Sequence, residues 1–133
     1  MQVSVPPEAF PELGTVSNPA VLYDGHDFFV CYEASVRAGG GNVVIKFGEV
    51  IDFRIRPMSV HGLGECRYRV SPWAFNEIVG AEETSEWKAL NPRFWLVSFN
   101  DVVIEVLFET VSLISRDTEG GPQYRTLISA LPG

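Results

Sequence analysis

The sequence predicts a mainly β or α+β fold: an antiparallel sheet, small sandwich or open barrel with a short helical insert around residues 72–90. Three observations carry this expectation. Between its two ends the chain alternates apolar and polar positions with a period of two, which sorts side chains onto the two faces of a strand. Turn-forming pairs such as Asp24-Gly25 and Asn100-Asp101 punctuate these runs. Long helical patterns do not alternate with the strands, as a doubly wound α/β fold would require.

Each element has its own local reason. The first 20 residues hold Pro6, Pro7, Pro11 and Pro19, four of nine prolines, and read as an irregular N-terminal arm. Asp24-Gly25 then launches a strand from Phe28 to Ala34 that is largely apolar on both faces and so belongs in the interior. After the glycine-rich link "RAGGGN", Val43, Ile45, Phe47, Ile51, Phe53 and Ile55 share one phase. This run reads as one long strand bending near Gly48. A hairpin at Gly48-Glu49-Val50 would set Lys46 opposite Asp52, but it places Val50 where such a loop wants a left-handed glycine.

"GECRYRV" alternates again, with Cys66, Tyr68 and Val70 inward. Ser71 as cap, Pro72 at the first turn and Gly80 as terminator predict a short helix. A second helical turn follows from about Glu82 to Leu90, stopped by Asn91-Pro92. "RFWLVSFNDVVIEVLFE" is the clearest hairpin. With Asn100-Asp101 as its turn, Phe99 faces Val102, Val97 faces Ile104 and Trp95 faces Val106, which makes one face wholly apolar. The apolar phase flips after Phe108, so a bulge or a second tight turn at Glu109-Thr110 precedes a last strand. Residues 118–133 read as a loosely packed C-terminal tail on a single domain of 133 residues.

A net charge of −7 argues against nucleic-acid binding, which rests on clustered basic residues, and is compatible with a basic protein partner or with plain solubility. No run of 18 apolar residues suggests a membrane span, and the N-terminus lacks a secretory pattern. Two cysteines on separate strand-like segments indicate neither a disulfide scaffold nor a zinc site. The expectation is a cytoplasmic protein without metal or cofactor.

Three constellations could carry function. Arg54 and Arg56, with Arg67 and Arg69, gather four of ten basic residues on one sheet face, as an anion site or as a solvated salt ladder. Glu77, Glu82, Glu83 and Glu86 fall near Trp73 and Trp87. An acidic, aromatic patch of this kind docks a basic partner; the alternative is tryptophans in the core with glutamates in water. The turn residues Asp24, His26 and Asp27, with His61 elsewhere, offer metal or acid–base groups, although the same Asp-Gly pattern is ordinary turn chemistry.

The phosphate-loop, dinucleotide and nucleophile-elbow motifs are missing. The stretch "VLYDGHDFFVCYE", with the closing "FWLVSFNDVVIEV", resembles small β-rich bacterial immunity-type proteins, through His26-Asp27 and the strand rhythm of residues 21–56 and 94–108. The resemblance implies a small acidic protein that binds and blocks a partner toxin. A non-enzymatic binding module for protein is therefore the first expectation. An anionic small-molecule site or small enzyme on the arginine face is the second, and a homodimer that covers a sheet face is the third.

Overall fold

The computed structural model describes residues 2–57, 68 and 70–132, and these build two antiparallel sheets stacked face to face. In chain order the strands are β1 (Gln2–Ser4), β2 (Ala20–Tyr23), β3 (Phe28–Glu33), β4 (Asn42–Gly48), β5 (Asp52–Pro57), β6 (Phe75–Val79), β7 (Arg93–Ser98), β8 (Val102–Phe108) and β9 (Thr110–Asp117). Helix α1 (Glu82–Ser85) and a 3-10 turn (Lys88–Leu90) follow β6, and helix α2 (Gln123–Ala130) ends the chain. One sheet has the order β1-β6-β7-β8-β5 and the other β2-β3-β4-β9. The fold is mainly β, as the period-two pattern predicts, and of the open sheet, sandwich and barrel expected it is the sandwich.

The core between the sheets is aromatic. Phe28, Tyr32 and Phe47 from one sheet meet Trp95 and Phe108 from the other, all fully buried. Edge-to-face contacts join Phe47, Trp95 and Phe108 with centroids 4.8–5.5 Å apart, the geometry that ring quadrupoles favour. The predicted hairpin has the expected register, with Trp95 opposite Val106, Val97 opposite Ile104 and the Phe99 N–H donating to the Val102 carbonyl.

The run from Val43 to Ile55 is not the one long bent strand expected but two strands, β4 and β5, joined by a corner between the sheets. β4 pairs with β9 in one sheet and β5 with β8 in the other. At the corner Gly48 faces Thr110 and Asp52 faces Leu107, so four steps on one side oppose three on the other. Glu49 absorbs the extra residue with a left-handed φ of 51°. Gly48 lets the Thr110 side chain close over the corner, since a Cβ there would lie 2.3 Å from the Thr110 hydroxyl oxygen and force it to move. The phase flip after Phe108 has the same origin: β8 leaves its sheet and β9 enters the other. Strands that switch sheets at a bend are how sandwiches turn corners. Lys46 consequently pairs with Asp27, at 3.4 Å, rather than facing Asp52.

The helix expected from Ser71 to Gly80 is instead strand β6. Asn76, buried near its start, donates to the Leu96 and Ser71 carbonyls and accepts from the Ser71 N–H. Pairing with β1 and β7 satisfies backbone groups that an isolated helix of two turns could not hold, since short helices are marginal without tertiary support. The helical insert is thus confined to α1 and the 3-10 turn that follows.

Both ends are more ordered than the sequence suggests. The C-terminal stretch forms α2, whose Leu127 is buried against Phe29, Cys31 and Val44 on the outer face of the smaller sheet. Asn42 ties it down through the Gly121 carbonyl and the Thr126 hydroxyl. In the N-terminal arm β1 joins β6, Phe10 packs against Phe75 and Trp95, and Leu13 enters the core.

Residues 15–18 are an excursion within the edge strand. Leu13 faces Ala34 and Ala20 faces Cys31, so the two pairings differ by four residues. Removing these four restores one continuous register and keeps every side chain on its present face. The deletion sacrifices the two Asn18–Asp101 hydrogen bonds, 2.8 Å each, and the one that Ser17 donates to Glu33 at 3.1 Å. A chain lacking residues 15–18 is expected to fold with a loss of about 1–3 kcal/mol. An unfolded or aggregated product in circular dichroism would contradict this register.

Candidate functional site

The end of the sandwich that carries the β6–β7 connection combines a groove, an ionic cluster and an acidic helix. The groove, of about 420 Å³, is lined by Glu77, Gly80, Thr84, Lys88, Arg93 and Glu109 among others. On its inner wall Arg93 opens β7, and alternation turns it to the same face as Trp95. Its guanidinium makes four hydrogen bonds to two carboxylates. Nη1 and Nη2 grip Glu8 bidentately at 2.8 and 2.7 Å, while Nε and Nη2 reach Glu77 at 3.2 and 2.6 Å. Trp95 Nε1 donates to the same Glu77 at 3.0 Å. Arg93 also lies over the Trp95 and Phe108 rings, 5.5 and 5.6 Å from their centroids. Its hydrogen bonds hold the Glu8 carboxyl below the ordinary glutamate value, and the two carboxylates push Arg93 upward.

With four of the five guanidinium donors engaged, Arg93 works as a plug over the aromatic core rather than as a receptor for an anion. The sequence shows no sign of this cluster. Glu8 and Arg93 are 85 residues apart, and Glu77 reads as one of the solvent-facing acids of a helix.

The acidic segment is partly as expected. Glu82 and Glu86 are exposed, and Trp87 remains 43% exposed beside them. Glu83 is half-buried and accepts from the Tyr68 hydroxyl. Glu77 leaves the group for Arg93. Trp73 is also exposed, at 40%, but it precedes β6 while Trp87 follows it, so a whole strand separates them. Trp73 further adopts a left-handed φ of 49°, unusual for a bulky residue.

The turn cluster is a turn. One Asp24 carboxylate oxygen accepts from the backbone N–H groups of Asp27 at 2.7 Å and His26 at 2.9 Å. Those bonds hold its carboxyl below the usual range. His26 is exposed, Asp27 pairs with Lys46, and His61 lies outside the described residues. Among the described residues no three His, Cys, Asp or Glu side chains gather to hold a metal. Cys31 is buried, and burial pushes its thiol up to about 11, which makes it a core residue rather than a nucleophile at neutral pH.

On the arginine face, Arg56 Nε lies 2.8 Å from Glu105, and Arg54 Nε lies 3.8 Å from Asp52. Both side chains are more than half exposed, so such pairs contribute at most about 1 kcal/mol each. Arg67 and Arg69 lie outside the described residues, as does any pairing of their strand with β5. Among the described residues no helix is long and apolar enough to cross a membrane.

Taken together, fold and site define an antiparallel β-sandwich with an acidic, tryptophan-bearing helical segment at one end. No protein-family model, curated protein sequence or solved structure matches the chain.

Proposed function

We propose that the chain is a non-enzymatic binding module that recognises a basic protein through the α1 segment. Trp87 is the anchor, and Glu82 and Glu86 supply the steering charge. The exposure of Trp87 carries this reading: an indole left 43% open between Glu86 and Lys88 forgoes burial in its own fold and keeps it for a partner. The net charge of −7 favours encounter with a basic surface. The likeness of the strand rhythm to immunity-type proteins would make that partner a toxin held inactive by binding.

Native mass spectrometry of the protein purified from its own host, followed by affinity measurements on the recovered complex, tests the reading. Trp87→Ala is expected to weaken binding at least 30-fold, corresponding to a hot spot of about 2 kcal/mol. The double variant Glu82→Lys, Glu86→Lys should mainly slow association and flatten its salt dependence. Absence of a copurifying protein, or equal affinity for the Trp87→Ala variant, would overturn the proposal.

A further inference from the structure

We propose that the N-terminal arm is exchangeable: residues 2–13 leave their own sandwich and fill the same slot on a second copy of the chain, and mutual exchange gives a two-fold dimer. The slot is built for an extended segment, with main-chain pairing for affinity and side-chain pockets for register. β1 adds a strand to β6, with Gln2 opposite Val79, Val3 opposite Ile78 and Ser4 opposite Glu77. Arg93 grips Glu8 through hydrogen bonds of 2.7 and 2.8 Å. Phe10 packs on Phe75 and Trp95, at centroid distances of 5.9 and 6.1 Å. The Pro11 carbonyl accepts from the Tyr32 hydroxyl at 2.7 Å, and Leu13 enters the core.

These contacts also name the occupant. The slot reads a short strand, then a carboxylate and, two residues on, an aromatic ring before a proline: Glu8-Ala9-Phe10-Pro11. A second copy of the chain carries that pattern by definition. The strands that form the walls of the slot, β3, β6 and β7, all follow the arm in sequence, so the slot is the same whichever chain supplies the arm.

The joint between arm and body is free to straighten. Residues 15–18 step out of the edge strand, and none of their backbone groups bonds another described backbone group. Val16 is 78% exposed. Only side chains hold the excursion among the described residues, Ser17 on Glu33 and Asn18 on Asp101, and all of these bonds are exposed. Drawn out, residues 14–19 reach about 20 Å, enough to carry the arm clear of its own edge strand. Every arm contact recurs in the exchanged pair, so the closed monomer and the dimer differ in the hinge alone. Exchange of an identical element is a low-cost route to a dimer for this reason, and concentration sets the balance.

The test mixes two forms of the purified chain, Gln2→Cys and Val79→Cys, whose new thiols are aligned only when an arm crosses between copies. Gln2 and Val79 are both exposed and directly paired, and antiparallel partners lie close enough for a disulfide. In oxidising buffer at high protein concentration, a disulfide between positions 2 and 79, mapped by mass spectrometry, should form about tenfold or more faster than one between Val36→Cys and Val79→Cys, which meet by collision. Glu8→Gln placed in the Val79→Cys chain loosens the resident arm and should speed the cross-link by about a further tenfold. A cross-link no faster than the collisional pair overturns the proposal, as does a rate that Glu8→Gln leaves unchanged. The mixture holds no other protein, so either result stands apart from the reading of the α1 segment.

Discussion

Trp95→Ala is expected to lower the stability of the chain by about 3–5 kcal/mol, a large fraction of what a domain of this size possesses. Trp95 is fully buried, and its ring meets four others, Phe10, Phe47, Phe75 and Phe108, at centroid distances of 5.4–6.1 Å. Those partners come from the arm and from both sheets, so no single element can collapse into the vacated space. Truncation also removes one of the donors to Glu77, leaving Arg93. Urea denaturation followed by circular dichroism measures the change, with Val36→Ala, at a position 94% exposed, as a surface control expected within about 0.5 kcal/mol of the parent. A loss below about 1 kcal/mol for Trp95→Ala would mean that this aromatic crossing is not the centre of the core.

Arg93→Met should cost about 2–4 kcal/mol, because it leaves two carboxylates side by side over an apolar core with their shared cation gone. The side chains of Arg93, Glu8 and Glu77 are 25%, 24% and 15% exposed, which keeps the effect below that of a fully buried triad. Glu8→Gln in the Arg93→Met background should recover part of the loss by removing one of the two repelling charges, and a cycle of these variants measures the coupling.

The same cluster makes stability depend on pH with a definite sign. The folded pKa of Glu8 lies below its ordinary 4.5, so the unfolded chain takes up the proton first. The contribution of Glu8 is therefore complete above the unfolded value and is lost as pH falls through the lower folded one. In acid titration the parent should lose stability across that window, and Glu8→Gln should flatten the profile there. An unchanged acid profile in Glu8→Gln would remove the cluster from the account.

How much of this could be read from the chain depends on the range of the signal. Trp95, Val97, Ile104 and Val106 declare their shared face within a dozen residues, and the turn between them is as local as they are. Asp24 shows its role for the same reason: its carboxylate bonds the N–H groups two and three residues on. Phe75–Val79 misled because Ser71, Pro72 and Gly80 are sound helix signals over a segment too short to be stable as a helix. The neighbours that make it a strand, β1 and β7, lie on either side of it in space rather than in sequence.

By itself, then, the sequence determined the class of fold, the register of the β7–β8 hairpin and the apolar face that its two strands share. Tertiary structure alone decided which sheet each strand joins, that the corner at Glu49 and Glu109 passes both strands from one sheet to the other, and that α2 docks. It alone brought Glu8 to Arg93. The division has one physical cause. Alternation and turn chemistry act between residues a few positions apart, whereas sheet membership and ion pairing are settled by which apolar faces and charges meet once the chain has closed on itself.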